Sequence, residues 1–261
     1  MIRFVDSKNA EKDYLSACKF DKVYGTINGY LYRTHLSDNL AMFWNIYDSN
    51  ERLCGNLSFS NGTFTLCTKN DETSEEVAQF VDFWENFNHL SFNSCNANSL
   101  YKFINTSNIL ASGEILYIDY RLDMNDISVE ICKDLELYDV FALFKGNFPE
   151  KFNDSDFSSF NYDMNYRLRH GESFLYGVRC DGVLASVLEV MCRSDNNVLL
   201  GCLVTQKSYR NMGLASSLLK FATNQFPDSN VYIFADNEDL SKFYKKIGFK
   251  KHSEWAQLTH V

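Results

Sequence analysis

The chain has 261 residues, long enough to bury a sizeable core and to divide into two domains. Apolar residues make up 45% and charged residues 23% of the sequence, values that are typical of globular proteins and exclude disordered and fibrous classes. The net charge of -9 disfavours binding to nucleic acid or to an anionic membrane, because neutralising phosphates requires clustered Lys and Arg. We therefore expect neither a nucleic-acid partner nor a membrane partner.

The sequence also argues against export and against a metal site. Its first residues become charged too early to form the apolar segment of a signal peptide, and no apolar stretch approaches the roughly 20 residues that span a bilayer. The eight cysteines show no repeated spacing and no C-x-x-C pair, which favours buried thiols over disulfides or metal ligands. We expect a cytoplasmic protein without a metal.

The first half of the chain predicts a small α/β domain over residues 1–124. Strands are predicted at 26–34, 39–48, 52–60, 63–69 and 114–122. Between two of them, Asn61-Gly62 favours a tight hairpin because both residues tolerate a positive φ. A helix is expected from Thr73 or Ser74, and a shorter one at 97–104. The first of these helices places Val77, Phe80, Val81 and Trp84 on one face.

The second half predicts a further domain over residues 125–261. Its elements in chain order are a strand at 127–133, helices from Asp134 and from Asp154 to Gly171, a hairpin of 173–180 with 183–193 turning at Asp181-Gly182, a strand at 196–205, a helix, a strand at 230–235, a helix at 237–247 and a strand at 249–258. The strands at 196–205 and 230–235 flank a helix, so they should be parallel. Both halves together predict an α/β fold with a mixed, mostly antiparallel central sheet flanked by helices.

The stretch YRNMGLASSLL, residues 209–219, has the composition of an anion-binding helix start. The first N–H groups of a helix have no partner within it, and the helix dipole makes that end positive. Gly213 allows close approach to the backbone, Ala215 keeps the first turn free of bulk, and Arg210 adds a permanent charge. An ordinary helix start with a surface arginine remains the alternative. The spacing fits neither a Walker loop nor a dinucleotide fingerprint.

A second motif, NEDLSKFYKKIGF, spans residues 237–249. Leu240, Phe243 and Ile247 form the apolar stripe of its helix, which places Tyr244 at the edge of that stripe. A tyrosine there can extend its hydroxyl into a cleft, or it can simply cover the rim of the core.

Taken in order, these pieces resemble the GNAT superfamily of N-acetyltransferases. That family shows an apolar strand, the pattern R/Q-x-x-G-x-G/A, and downstream an Asn with a helix ending in FY-x-x-x-GF. Here the strand ends at Leu203-Val204-Thr205, and YRNMGLA, Asn237 and FYKKIGF follow. The resemblance covers residues from about 127 to 258 and implies a GNAT acyl-CoA N-acyltransferase fold for the carboxyl-terminal domain.

The resemblance implies an acyltransferase that uses acetyl-CoA to acetylate the primary amine of a small molecule or peptide by direct attack. The backbone of Leu203, Val204 and Thr205 would pair with the pantetheine arm. The pyrophosphate would be held by the loop of Arg210, Asn211, Met212, Gly213, Leu214 and Ala215. Asn237 and Phe243 would flank the pantetheine, and Tyr244 would be the general acid.

The sequence departs from the family pattern at the general base. Many relatives carry a glutamate on the strand before the loop, but NNVLLGCLVT has no acidic residue, so Glu189 on the preceding strand or a water chain would have to serve. A non-catalytic module that binds CoA for regulation is therefore the alternative function. Tyr162 and Tyr166, one turn apart on a helix, are candidates to line the acceptor site.

The first 124 residues lack R-x-x-G-x-A. They are interpreted as a degenerate GNAT-like copy that cannot bind CoA and shapes the acceptor site, or as an unrelated α/β cap. The sequence leaves open the identity of the amine, whether protein amino terminus, lysine, polyamine, antibiotic or metabolite. It also leaves open whether the chain forms a homodimer.

Overall fold

The computed structural model describes residues 1–35, 40–84, 87–104, 109–123, 129–149, 152–194 and 196–260. The contacts group the chain into two compact units. The first comprises Met1–Leu116, Phe234–Lys242 and Lys251–Val261, and the second comprises Tyr117–Ile233 and Phe243–Lys250. The predicted boundary between residues 124 and 125 lies outside the described residues, so the division at that point stays a prediction.

The first unit contains six strands in the spatial order β1-β2-β3-β4-β5-β11. These are β1 (Ile2–Phe4), β2 (Ala41–Tyr47), β3 (Leu53–Ser60), β4 (Thr63–Thr68), β5 (His89–Asn93) and β11 (Lys250–Thr259, with Lys251 onward in this unit). Neighbouring strands are antiparallel except β4 and β5, which are parallel. The last strand of the chain thus completes the sheet that the first strands begin.

Four helices accompany this sheet: α1 (Lys8–Ala17), α2 (Tyr24–His35), α3 (Ser74–Asp82) and α4 (Ala97–Phe103). The predicted apolar face of α3 is confirmed, because Val77 and Val81 are fully buried in a core with Leu57 and Leu90. The predicted hairpin is confirmed as well. Ser60 lies opposite Thr63, and the two residues between them have positive φ values of 48° and 75°.

The prediction of a strand at 26–34 is wrong, because these residues belong to α2. This helix is buried on most of its faces, and the 3.6-residue alternation that marks an amphipathic helix is therefore missing. Asn28 lies inside, where its Nδ2 donates to Asn56 Oδ1 at 2.8 Å and to the Thr65 carbonyl oxygen at 3.1 Å. A Cβ at Gly25 would lie 1.8 Å from the Cys18 carbonyl oxygen, so glycine is needed where α2 meets the end of α1.

The second unit contains four strands in the spatial order β10-β9-β8-β7. These are β7 (Phe174–Cys180), β8 (Val183–Arg193), β9 (Asn197–Thr205) and β10 (Asn230–Ala235, up to Ile233 in this unit). Three helices lie wholly within the unit: α5 (Leu137–Asn147), α6 (Phe157–Arg169) and α7 (Leu214–Asn224). Strand β6 (Ile109–Ile118) and helix α8 (Glu238–Ile247) are divided between the two units.

The second half of the chain follows its predicted order with shifted ends. The hairpin of β7 and β8 turns at Asp181-Gly182, and β9 pairs in parallel with β10, which confirms the predicted strand, helix and parallel strand. The predicted strand at 127–133 is wrong for its described part, where Cys132 forms a single bridge with Gly177. Helix α5 begins at Leu137 rather than Asp134, and Asn153 rather than Asp154 caps the turn before α6. Strand β6 begins five residues earlier and ends four residues earlier than the predicted strand at 114–122.

The predicted fold class is confirmed, since the structure is a mixed α/β fold whose mostly antiparallel sheet is flanked by helices. The core of the second unit lies between α5, α6 and the sheet, with Leu137, Phe144 and Met164 packed on Val187 and Val204. Within the described residues, no helix is both long enough and apolar enough to span a membrane.

Candidate functional site

The segment between β9 and α7 carries the predicted anion-binding motif. After Thr205, a short 3-10 turn leads to Arg210, and Gly213 is the N-cap of α7. Asn211 and Gly213 have left-handed φ values of 63° and 80°. A Cβ built on Gly213 would meet no atom of the described residues within 4 Å, so the space beside this backbone is open to a ligand.

The start of α7 is polar in the way that an anion requires. The first helical hydrogen bond at this end runs from the Ser217 N–H to the Gly213 carbonyl oxygen at 3.0 Å. The preceding N–H groups, on Leu214 to Ser216, have no acceptor within the helix. The first turn of α7 contains no acidic residue, and Lys207 and Arg210 precede it. The helix dipole and the two cations therefore act in the same direction.

The side chain of Arg210 is turned toward the protein. Its Nε donates to the Thr205 carbonyl oxygen at 3.2 Å, and its Nη2 donates to Asn147 Oδ1 at 2.9 Å. A guanidinium has five N–H donors, and these two bonds leave the others for a ligand. The sequence motif identified Arg210 but gave no signal for Asn147, which lies 63 positions earlier in the chain.

Strand β9 changes its pairing before it ends. Its parallel pairs with β10 run from Asn197 to Leu200, whereas the strand continues to Thr205. Along its other edge, the register with β8 shifts between Val187 and Glu189, and Cys202 there has a φ of 48°. Of the predicted pantetheine-binding residues, Leu203 lies within this bulge, and Val204 and Thr205 follow it. A ligand backbone can pair with such a strand end as an added strand.

Tyr244 is more deeply buried than predicted, since the sequence placed it at the edge of the apolar stripe of α8. Only 4% of the residue is exposed, and its ring contacts the rings of Phe243 and Phe249 with centroids 5.4 and 6.1 Å away. Tyr244 and Phe243 belong to the second unit, as does the whole segment from Leu203 to Ala215.

Asn237 belongs to the first unit and is exposed. Its Oδ1 accepts a hydrogen bond of 2.9 Å from the Leu240 N–H, so this side chain caps the start of α8. Its predicted contact with the pantetheine stays a prediction.

The alternative base, Glu189, is tied into a buried ion pair. Its Oε1 accepts from Arg167 Nη2 at 2.8 Å and from Ser173 Oγ at 3.1 Å, and the residue is 4% exposed. Arg167 Nη2 also donates to the Met191 carbonyl oxygen at 2.5 Å. Removing either partner of a buried pair is costly, so Glu189 has a structural role that is independent of any role as a base.

Two cavities accompany these elements in the second unit. One of about 650 Å³ lies between the end of α5, the β7–β8 turn and residues 206–208, and Asn147, Arg179 and Lys207 line it. The other, of about 540 Å³, follows the outer face of α6 and is lined by Tyr162 and Tyr166. The role of these two tyrosines at the acceptor site stays a prediction.

A cluster of metal-ligand type lies in the first unit. Ligand atoms of Asp48, Cys54 and Glu72 lie within 4.8 Å of one another. Asp48 accepts hydrogen bonds from the main chain and side chain of Arg52, and these bonds lower its pKa. Burial, together with the charge of Asp48, raises the pKa of the Cys54 thiol.

One family model matches part of the second half of the chain. Residues 137–249 match the model of the acetyltransferase (GNAT) family. No curated protein matches the sequence at a significant level.

Solved structures extend the similarity over nearly the whole chain. A Drosophila protein has 14% identity and a TM-score of 0.65, with 100% of this chain and 98% of that chain covered. A tandem GNAT protein from the clavulanic acid biosynthesis pathway has 12% identity and a TM-score of 0.64, with 99% and 98% covered. A GNAT-family acetyltransferase from Colwellia psychrerythraea has 16% identity and a TM-score of 0.58, with both chains fully covered. At these identities the likeness concerns the fold, and it includes the first unit.

Proposed function

Because residues 137–249 match the model of the GNAT acetyltransferase family, we propose that the chain transfers the acetyl group of acetyl-CoA to a primary amine. The observation that carries this proposal is the start of α7. An open, left-handed Gly213 and a positively charged segment meet there at the end of a strand, where ligands of α/β sheets bind.

In this proposal the diphosphate of the cosubstrate binds the N–H groups from Asn211 to Ala215, with Arg210 beside it. The pantetheine arm pairs with the backbone of Leu203 to Thr205, and Phe243 lies along it. A diphosphate fits because the first turn of α7 has no acidic residue to repel it. Gly213 has no side chain and Ala215 has only a methyl group, so neither residue places bulk at the phosphate position.

The reaction requires an uncharged amine, support for the oxyanion and a proton for the departing thiolate. An alkyl ammonium has a pKa of about 10, so the acceptor must lose a proton before it attacks the thioester carbonyl. Backbone N–H groups near the bulge of β9 support the oxyanion. A tyrosine phenol has an ordinary pKa of about 10, so tyrosine can donate a proton at neutral pH. We assign the protonation of the departing thiolate to the phenol of Tyr244. Because Glu189 is engaged by Arg167, a water chain is the better candidate for the base.

A non-catalytic CoA-binding module is the second candidate. Two observations favour it: β9 carries no acidic residue, and Tyr244 is almost fully buried. This candidate predicts CoA binding without turnover.

Two measurements test the proposal. Isothermal titration calorimetry with CoA should show binding at one site per chain, and failure to bind would refute both candidates. Thiol release from acetyl-CoA should then be followed with a panel of amines: a polyamine, an aminoglycoside, a lysine peptide and a peptide with a free amino terminus. Release with at least one amine, well above hydrolysis without amine, supports the enzyme. Binding without release across the panel supports the non-catalytic module.

A further inference from the structure

The bond between Asn147 and Arg210 connects the end of helix α5 to the anion-binding segment. We infer that Asn147 is a positioning residue for the cosubstrate: its amide oxygen holds the Arg210 guanidinium in the orientation in which that group meets the diphosphate. The inference rests on the proposed function, because it assigns a role to Asn147 only if Arg210 faces a diphosphate.

The amide of Asn147 is itself fixed by its helix. It is the last residue of α5, and its Nδ2 donates to the Leu143 carbonyl oxygen, four residues earlier, at 2.8 Å. With the nitrogen held in this way, Oδ1 is directed at Arg210 Nη2, 2.9 Å away. The carbonyl groups at the end of α5 carry the negative end of its dipole, which also favours a cation here.

The other anchor of Arg210 is equally well held. The Thr205 carbonyl oxygen accepts from Nε, and Thr205 is fixed on β8 through the 2.8 Å contact of its hydroxyl with the Ser186 hydroxyl. Ser186 is fully buried and also donates to the Val204 carbonyl oxygen at 3.0 Å. The guanidinium is thus held on one side by strand β9 and on the other by helix α5.

Two fixed acceptors determine the plane of a guanidinium. An exposed arginine otherwise samples many rotamers and loses that freedom when a ligand binds, at a cost to affinity. Held by Thr205 and Asn147, Arg210 keeps its remaining N–H donors in one direction before the cosubstrate arrives. Asn147 therefore acts on the diphosphate through Arg210 and not on the thioester.

The test is to remove the Oδ1 acceptor and to compare ligands with and without the diphosphate. Asn147→Leu and Asn147→Ala should raise the Kd for CoA roughly five- to tenfold, the equivalent of one ordinary hydrogen bond, because Asn147 acts on the diphosphate only through Arg210. The Kd for pantetheine, which lacks the diphosphate, should stay within about twofold by NMR titration.

Asn165 provides a matched control on helix α6. Its Nδ2 donates to the Asn161 carbonyl oxygen, four residues earlier, at 2.8 Å, the same local bond that Asn147 makes. Its amide lies beside Asn161 rather than beside an arginine of the anion-binding segment. Asn165→Leu should leave the Kd for CoA unchanged, which separates the bond to Arg210 from the loss of the local bond to the carbonyl oxygen four residues earlier.

A double-mutant cycle completes the experiment. If Asn147 acts only through Arg210, Asn147→Leu should have no further effect on CoA affinity in an Arg210→Ala background. An unchanged Kd in both single Asn147 variants, equal weakening of pantetheine, or additive effects in the cycle would each overturn the inference. A wild-type chain that does not bind CoA would instead overturn the proposed function.

Discussion

Both units contain a strand, a helix and a parallel strand in succession, but the segments that lead into the two helices carry opposite charge. In the first, β4, α3 and the parallel strand β5 follow one another, and in the second β9, α7 and the parallel strand β10 do so. The connection into α3 includes Asp71 and Glu72, and the first turn of α3 contains Glu75 and Glu76. The connection into α7 instead contains two cations, and no acidic residue follows in its first turn.

This difference shows that the strand, helix and parallel strand do not make an anion site by themselves. Both helices begin with N–H groups that lack partners within the helix. At α3, four carboxylates lie in the connection and the first turn and would repel a phosphate, whereas the connection into α7 has two cations and a left-handed glycine. If the proposed function is right, it resides in the connecting segment and not in the fold.

The largest effect is expected when the connection into α7 is made to resemble the connection into α3. Arg210→Ala combined with Gly213→Asp should abolish CoA binding, with a Kd at least ~10³-fold higher, because an anion replaces open space at the diphosphate and a cation is lost. Calorimetry measures the loss. Gly171→Asp is the matched control, since Gly171 also has a left-handed φ, of 66°, and open space around a Cβ. CoA binding that survives the double substitution would refute the anion site.

The next largest effect concerns the chemistry that only the second unit is proposed to perform. Tyr244→Phe should lower the rate of acetyl transfer roughly 10²- to 10⁴-fold, because the thiolate loses its proton donor. The Kd for CoA should stay nearly unchanged. Single-turnover thiol release measures the rate, with Tyr138→Phe, an exposed tyrosine of α5, as control. A normal rate in Tyr244→Phe would remove this residue from the mechanism.

Alkaline pH should lower the stability of the first unit more than that of the second. Burial raises the pKa of the Cys18 thiol from 9.0 to about 11, and burial also raises the pKa of Cys67 in the same unit. Both thiols ionise more easily when unfolded, so their stabilising effect is complete below pH 9 and is lost as the pH rises to about 11. For Cys18 the loss is about 2–3 kcal/mol.

Tryptophan fluorescence measures this effect selectively, because Trp44, Trp84 and Trp255 all belong to the first unit. The urea midpoint of unfolding reported by the fluorescence should be lower at pH 10.5 than at pH 8. The free energy of unfolding should fall by roughly the value given above for Cys18. Cys18→Ser, which removes the titrating thiol, should reduce the difference between the two pH values. Equal midpoints at both pH values in the wild-type chain would contradict the prediction.

The smallest expected effect comes from neutralising the four carboxylates of the first segment with two lysines. Glu72→Lys with Glu75→Lys should change the Kd for CoA by less than about twofold and leave one site per chain, since cations alone supply neither a left-handed glycine nor open backbone. Calorimetric stoichiometry is the measurement. A second binding event would show that charge alone separates the two units.

Local signals in the sequence were sufficient for much of the fold. The Asn61-Gly62 and Asp181-Gly182 pairs predicted both tight hairpins, because a positive φ at two consecutive residues depends little on the rest of the chain. Helix α2 could not be predicted from periodicity, since a helix buried on most faces by partners such as Asn56 shows no polar side.

Arg210 and Gly213 lie close together in one motif, so the sequence was sufficient to identify them as candidates, and their anion-binding role stays a prediction. Two partners from distant parts of the chain were not predictable. Asn147 reaches Arg210 from another helix, and Arg167 pairs with Glu189 from α6, which changes the interpretation of Glu189 from a free base to half of an ion pair. Such contacts depend on tertiary packing, on which a single sequence gives no direct information.

The position of β11 has a consequence for how this protein is made. Ala256 and Leu258 at the carboxyl end lie opposite Phe92 and Leu90 of β5 and are buried in the core of the first unit. These residues are synthesised after β7 to β10, so the first unit keeps an open edge at β5 until β11 has emerged. The unit whose strands begin to be synthesised first is therefore the unit whose sheet forms last.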